Sequence, residues 1–201
     1  MKGSAKPAEV LARARELEAL PAAGPVVRLA VLSSFTADFL RPYVVVEAAA
    51  LGLRVAPWFG PFSAFEPQVL DPHAPLWAEP RDVIWLAMRI EDVEPELAHE
   101  WPALAAPARS QRVRRIRERL VALAQAVRAR SPACVLVSNL LCLPTLDVFD
   151  ANDPDGLAHV VAAENRELAR ALAAVPGAHV LDWTGLVSTD PKLWYLARAA
   201  L

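Results

Sequence analysis

The chain has 201 residues, 55% of them hydrophobic, and its 21 basic against 23 acidic side chains leave a formal charge of −2. That balance offers no electrostatic footprint for nucleic acid, and the length suits a domain that buries a core without disulfide or metal staples. The longest apolar run, Tyr43 to Leu53, is broken by Glu47 and Gly52, short of the roughly 18 residues a membrane span needs. The opening MKGSAKPAEVLARARELEAL is charged and lacks the apolar core of a signal peptide, so a cytoplasmic location is expected.

Residues 1–24 read as a helical arm, with Val10, Leu11, Leu17 and Leu20 on one stripe of a helix from Pro7 to Leu20. That stripe suits packing on the main body or self-association equally well. Residues 25–201 then alternate short apolar runs with helical segments. The first strand, Val26 to Leu32, follows Gly24-Pro25 and ends at Ser33-Ser34. A helix from Ala37 to Leu51 leads to the second strand, Leu53 to Trp58. A Pro-rich, aromatic-studded loop then runs to Pro80, ahead of the third strand, Val83 to Met88. Arg109 to Arg130 is the clearest helix, with Val113, Ile116, Leu120, Leu123 and Val127 at helical spacing. Cys134 to Val137 is the fourth strand. Asp153-Pro154-Asp155 suggests a cap and first turn for a helix reaching about Ala174, before a fifth strand, Ala178 to Leu181.

Runs that are apolar throughout, rather than alternating, belong to strands covered on both faces. The pattern therefore predicts a three-layer α/β/α sandwich with a five-stranded parallel sheet in flavodoxin-like order. Such sheets bind ligands beyond the carboxyl ends of their strands, where the strand order reverses. The residues delivered there are Ser33, Ser34, Thr36 and Asp38, then Gly60, then Arg89, Glu91 and Asp92, then Ser138 and Asn139, with Asp190 further on.

Simpler roles exist for several of these features. Ser33, Ser34 and Thr36 could cap the helix beginning near Ala37. The arginines of RSQRVRRIRERL (Arg112, Arg114, Arg115, Arg117, Arg119) form either a solvated face or a dock for an acidic partner. Trp58, Phe59, Phe62 and Phe65 around Gly60 line a pocket or close the core beneath a long loop. DVFDANDPDG fails as a calcium loop, because Pro154 and Asp155 stand where an oxygen ligand and a glycine are needed. Cys134 fits a core position, while Cys142 follows in a loop with no neighbouring base to activate it.

Several strings resemble the amino-terminal region of FkbH-like proteins of the HAD superfamily: LAVLSSFTADFL, WFGPFSAFEPQVLDP, RDVIWLAMRIEDV, VSNLLCLP, VFDANDPDGLAHVVAAENREL and VLDWTGLVSTDPKLWYLARAAL. They occur in order from about Arg28 to Leu201. The resemblance implies an SGNH-hydrolase-like domain, followed in the family by a HAD phosphatase-like domain that binds Mg²⁺ through an Asp-x-Asp-x-Thr motif. That motif does not occur in this sequence, so no cofactor is expected here and the HAD domain would be a partner in cis. The family is associated with forming glyceryl-acyl carrier protein for polyketide biosynthesis, which makes an acyl carrier protein a second expected partner.

For hydrolysis, the resemblance places Ser34 as nucleophile and Gly60 as an oxyanion donor. Arg89 stands where the family's asparagine would be, and Asn139 is a further polar group at the sheet edge. Asp190 fits the terminal aspartate, but Leu193 occupies the place of the histidine three residues on. His99 offers a route to a substitute base, whereas His73, His159 and His179 lie elsewhere in the pattern. The expectation is a non-hydrolytic accessory or docking domain, and the alternative is a weak serine esterase or acyltransferase using Ser34.

Overall fold

The computed structural model describes residues 6–21, 24–141 and 152–189. Among these, five strands form one parallel sheet in the order β2-β1-β3-β4-β5. The strands are β1 (Val26–Ser33), β2 (Arg54–Phe59), β3 (Val83–Ala87), β4 (Cys134–Ser138) and β5 (Ala178–Leu181). All five expected strands are present, and the order is the flavodoxin-like one. β1 and β3 are neighbours although β2 lies between them in sequence, so the order reverses at their seam.

Helices cover both faces. α1 (Pro7–Ala19) packs on α2 (Arg41–Ala50), and α6 (Ala106–Arg130) packs on both α3 (Phe65–Leu70) and α7 (Leu157–Ala173). Right-handed crossovers put the first pair on one face and the other three on the opposite face. Shorter helices α4 (Ile90–Val93), α5 (Pro95–Glu100) and α8 (Trp183–Thr189) follow the carboxyl ends of β3 and β5. No helix among the described residues is long and apolar enough to cross a membrane.

The core lies between the sheet and the α6 layer. Ile84, Leu86, Val135 and Val137 are fully buried. The five apolar residues singled out on α6 are all at most 3% exposed. Burying each such side chain contributes about 1.5–3 kcal/mol, which fastens the longest helix to the sheet. α1 packs on α2 with Val10 and Ala14 covered, while Leu11 and Leu20 of the expected stripe are 42% and 55% exposed. Phe65 is buried in the core, while Phe62 is 67% exposed, so the aromatics around Gly60 divide between closing the core and facing solvent. Cys134 is free and only partly buried. Cys142 lies outside the described residues.

Three local expectations are corrected. The Pro57–Pro80 stretch is not all loop, since it ends β2 and contains α3 and a 3₁₀ turn at Pro75–Trp77. Asp153 does not cap α7, which begins four residues later behind Gly156. Instead the Asp153 carboxylate accepts the Asp155 N–H at 2.9 Å and the Arg109 guanidinium at 2.9 Å. Asp-Pro-Asp-Gly serves equally well as a turn, and those two bonds, the backbone one first, hold the Asp153 carboxyl below its ordinary range. Finally, the arginine run is largely engaged within the molecule. Arg112 reaches Glu100 at 2.8 Å, Arg117 reaches Glu164 at 3.0 Å, and Arg119 pairs with Glu66.

The Arg117–Glu164 contact is a charge pair rather than an aligned hydrogen bond, because Nε and Oε2 lack a well-directed partner. Both side chains are less than a fifth exposed. We expect Glu164→Leu alone to destabilise the protein by an amount near the low end of about 3–5 kcal/mol, by stranding Arg117. Adding Arg117→Met should recover most of that loss, as read by urea denaturation with an unchanged m-value.

At the amino edge of the sheet, Arg28 grips Asp82 through its backbone N–H and both ends of its guanidinium, at 2.7–2.9 Å. The side-chain bonds lead in lowering the Asp82 pKa to about 2. A depressed carboxylate stabilises the fold above its unfolded pKa and stops doing so as pH falls through the folded value. The wild-type urea midpoint should therefore exceed that of Asp82→Asn at neutral pH, and the gap should close between about pH 4 and pH 2.

Candidate functional site

The carboxyl ends of β1, β2 and β3 carry Ser34, Gly60 and Arg89 to the seam where strand order reverses. Ser34 is the first residue past β1 and is fully buried. Its N–H donates to the Ala87 carbonyl at 3.1 Å, which carries the β1–β3 ladder one bond beyond the strand. Its Oγ accepts the Arg89 N–H at 2.9 Å and donates to Asp92 Oδ2 at 2.9 Å. Asp92 in turn receives Arg89 Nε at 2.8 Å and Nη2 at 2.9 Å. The Arg89 guanidinium also lies over the Phe35 ring, 5.4 Å from its centroid. The bonds to Asp92 hold the Arg89 pKa above its ordinary value. Beside them, burial raises the Glu91 carboxyl above its usual range.

The helix-capping reading of the SSFT string is overturned by these bonds. No side chain caps the 3₁₀ turn at Asp38–Leu40 or α2. Ser33 Oγ instead donates to the Phe35 carbonyl at 2.6 Å, and Ser34 is drawn inward by β3. A cap needs its oxygen aimed along the next helix axis, and here the paired polar groups of the β3 end compete successfully for it.

Gly60 stands where the chain leaves β2, and its N–H donates to the Val31 carbonyl at 2.9 Å. A Cβ at that position would come within 2.6 Å of Leu32 Cδ2, so a larger residue would force that buried side chain to shift. The next turn folds over the seam: the Ser63 N–H donates to the Ser33 carbonyl at 3.2 Å, with Ser63 in the left-handed region at φ 53°.

Asn139 is likewise engaged. Its amide donates to Asp182 Oδ1 at 2.8 Å and its oxygen accepts the Thr184 N–H at 3.0 Å, which together anchor the start of α8. Sequence reasoning did not single out Asn165, which clasps both the N–H and carbonyl of Leu140 at 2.8 Å. Nor did it assign the Trp85 Nε1 bond to Ser138 Oγ at 2.8 Å. The role of Asp92 was also missed, although its placement three residues after Arg89 on a helical turn is a signal for that ion pair.

The structure thus gathers Ser34, Arg89 and Gly60 at one seam, with Asp92, and places Asn139 in the separate α8 anchor. Asp190 lies outside the described residues, and His99 falls within α5 with its side chain also outside them. His73, His159 and His179 are exposed, and none of them bonds Ser34. An oxyanion hole requires N–H groups free to meet developing charge. The backbone N–H groups of Ser34 and Gly60 are both spent on sheet carbonyls. Among the described residues, no cluster of three His, Cys, Asp or Glu side chains is placed to hold a metal ion.

These features define a flavodoxin-like α/β/α domain with Ser34, Arg89 and Asp92 bonded to one another at its switch point. No family model and no curated protein matches the chain. Among solved structures, it resembles the crystal structure of the N-terminal part of the protein BF1531 from Bacteroides fragilis, described as containing a phosphatase domain and complexed with Mg, with a TM-score of 0.69. That likeness covers 96% of this chain and 51% of the solved one, at 11% sequence identity, and is therefore a likeness of fold. The chain spans about half the length of that solved chain.

If Ser34 is a structural tie, Ser34→Ala leaves the Arg89 N–H without its acceptor and should cost about 1–3 kcal/mol in denaturant unfolding. Gly60→Ala should cost a similar amount, about 1–3 kcal/mol, through overpacking against Leu32.

Proposed function

We propose that this chain is a non-hydrolytic accessory domain of an FkbH-like protein, holding a HAD-type catalytic domain in position for forming glyceryl-acyl carrier protein. The observation that carries the non-hydrolytic half is the enclosure of Ser34. Its hydroxyl is fully buried, and its only side-chain acceptor, Asp92, already has both oxygens engaged by Arg89. A nucleophilic serine needs a base free to take its proton and an approach path for the acyl carbon; among the described residues, Ser34 meets only an arginine-paired carboxylate and is buried.

The accessory half draws support from the sequence strings that resemble FkbH-like proteins and from the fold likeness to part of a phosphatase-containing protein. A neighbouring domain in cis is the better-supported partner. The arginines that would attract an acidic carrier are in large part neutralised by Glu66, Glu100 and Glu164.

The test compares wild type with Ser34→Ala on short p-nitrophenyl esters, alongside fluorophosphonate labelling. We expect background rates in both and no label on Ser34. Turnover that disappears in the variant would overturn the accessory reading and establish the esterase alternative. In a full-length protein carrying a HAD-type domain, deleting residues 25–201 should depress glyceryl transfer, whereas Ser34→Ala should leave transfer within about twofold after correction for folded protein.

A further inference from the structure

A groove of about 930 Å³ runs along β2, an edge strand, beneath α1 and α2. That volume lies within the range of small-molecule sites, about 300–1,000 Å³. None of Ser34, Arg89 or Asp92 lines it. Its walls are mainly aliphatic, with Leu17 and Leu20 from α1, Val45 and Ala49 from α2, and Val55 from β2. Into this lining projects Arg81, whose side chain is only 6% exposed.

Arg81 is poorly satisfied for so deeply placed a cation. Its guanidinium stacks on Trp58, 5.0 Å from the ring centroid, and Trp58 also lines the groove. Nε reaches the Leu76 carbonyl at 3.4 Å and Nη1 reaches Glu79 at 3.4 Å, both at the long limit for a hydrogen bond. Glu79 is 72% exposed and so screened by solvent. Among the described residues, nothing else accepts from the fork.

A buried charge is ordinarily paired at short range, because desolvation costs several kcal/mol otherwise. The other arginines of this groove differ in setting: Arg54 donates to the Leu20 and Pro21 carbonyls, and Arg41, 45% exposed and so hydrated, faces Glu18 at 3.7 Å. Arg81 is the buried cation among the three, with its bonds at the long limit, and a planar fork matches a carboxylate in two parallel bonds. Sheet extension by another strand is a weaker use of this edge, since Pro57 lacks a backbone donor within β2.

We propose that this groove binds an aliphatic carboxylate, with its chain against the leucine and valine walls and its head on Arg81. The chain would bury apolar surface along the groove, and the head would complete the hydrogen bonding of Arg81. This site is independent of the accessory role, so failure of one reading leaves the other standing.

The test is isothermal titration of the full chain with decanoate, decanol and decyltrimethylammonium, each below its micellar concentration. Saturable decanoate binding, at least about tenfold tighter than for the alcohol or the cation, is expected for a charge-assisted pair. Arg81→Met should weaken decanoate by about tenfold or more while leaving decanol unchanged. Because removing Arg81 could perturb its surroundings, Ala49→Phe provides a second variant that fills the groove with Arg81 intact, and it should abolish binding. Equal affinity for decanol and decanoate, or undiminished decanoate binding in Ala49→Phe, would overturn the proposal.

Discussion

The molecule is organised around the seam between β1 and β3. In a parallel sheet whose order reverses there, the two strands send their following segments to opposite faces, and a crevice opens between them. Here the Ser34 N–H prolongs the ladder to Ala87, and the Ser34 hydroxyl ties the turn before α4 through Arg89 and Asp92. The Ser63 N–H then brings the segment after β2 across the Ser33 carbonyl. Each bond satisfies a buried polar group that would otherwise cost about 1–3 kcal/mol. Taken together they bind the ends of β1, β2 and β3 into one packed junction.

Arginine does much of the remaining work. Among the described residues, six guanidinium groups lie over aromatic rings. Such contacts usually occur about once per 70–80 residues, so they are concentrated here. The pairs are spread through the fold, from Arg41 on Phe59 near the β2 edge to Arg109 on Trp101 beside α6. Arginine suits this use because its flat, weakly hydrated head can cover a ring while its donors reach carbonyls or carboxylates. Arg109 does so, stacking on Trp101 while donating to the Trp101 and Leu104 carbonyls and to Asp153. α6 is fastened on both sides in this way, to α3 through Glu66 and to α7 through Glu164.

The same habit separates the two edges of the sheet. At the β1–β3 seam, Arg89 is held by the Asp92 carboxylate through two short bonds, at 2.8 and 2.9 Å. Along β2, Arg81 is buried more deeply and bonded more loosely, beside open apolar space. Among the described residues, the seam is thus crossed by short polar bonds, while a groove lies along the β2 edge.

Five strands, their parallel arrangement and the buried stripe of α6 were legible in the sequence, because continuous apolar runs and a 3.6-residue spacing are local consequences of covalent order. Val113, Ile116, Leu120, Leu123 and Val127 could be placed in the core without knowing what covers them. Ser34, Gly60 and Arg89 could be assigned to one sheet edge on the same grounds. What each of those groups does there was decided only by tertiary structure. Ser34 could cap a helix, attack an acyl carbon or tie two strands, and the choice rests on Arg89 and Asp92, more than 50 residues away. The arginines of α6 could face solvent or bind glutamates, and their partners lie on three other elements. Periodicity determines which way a side chain points from its own helix or strand, whereas the partner it meets depends on how distant segments pack.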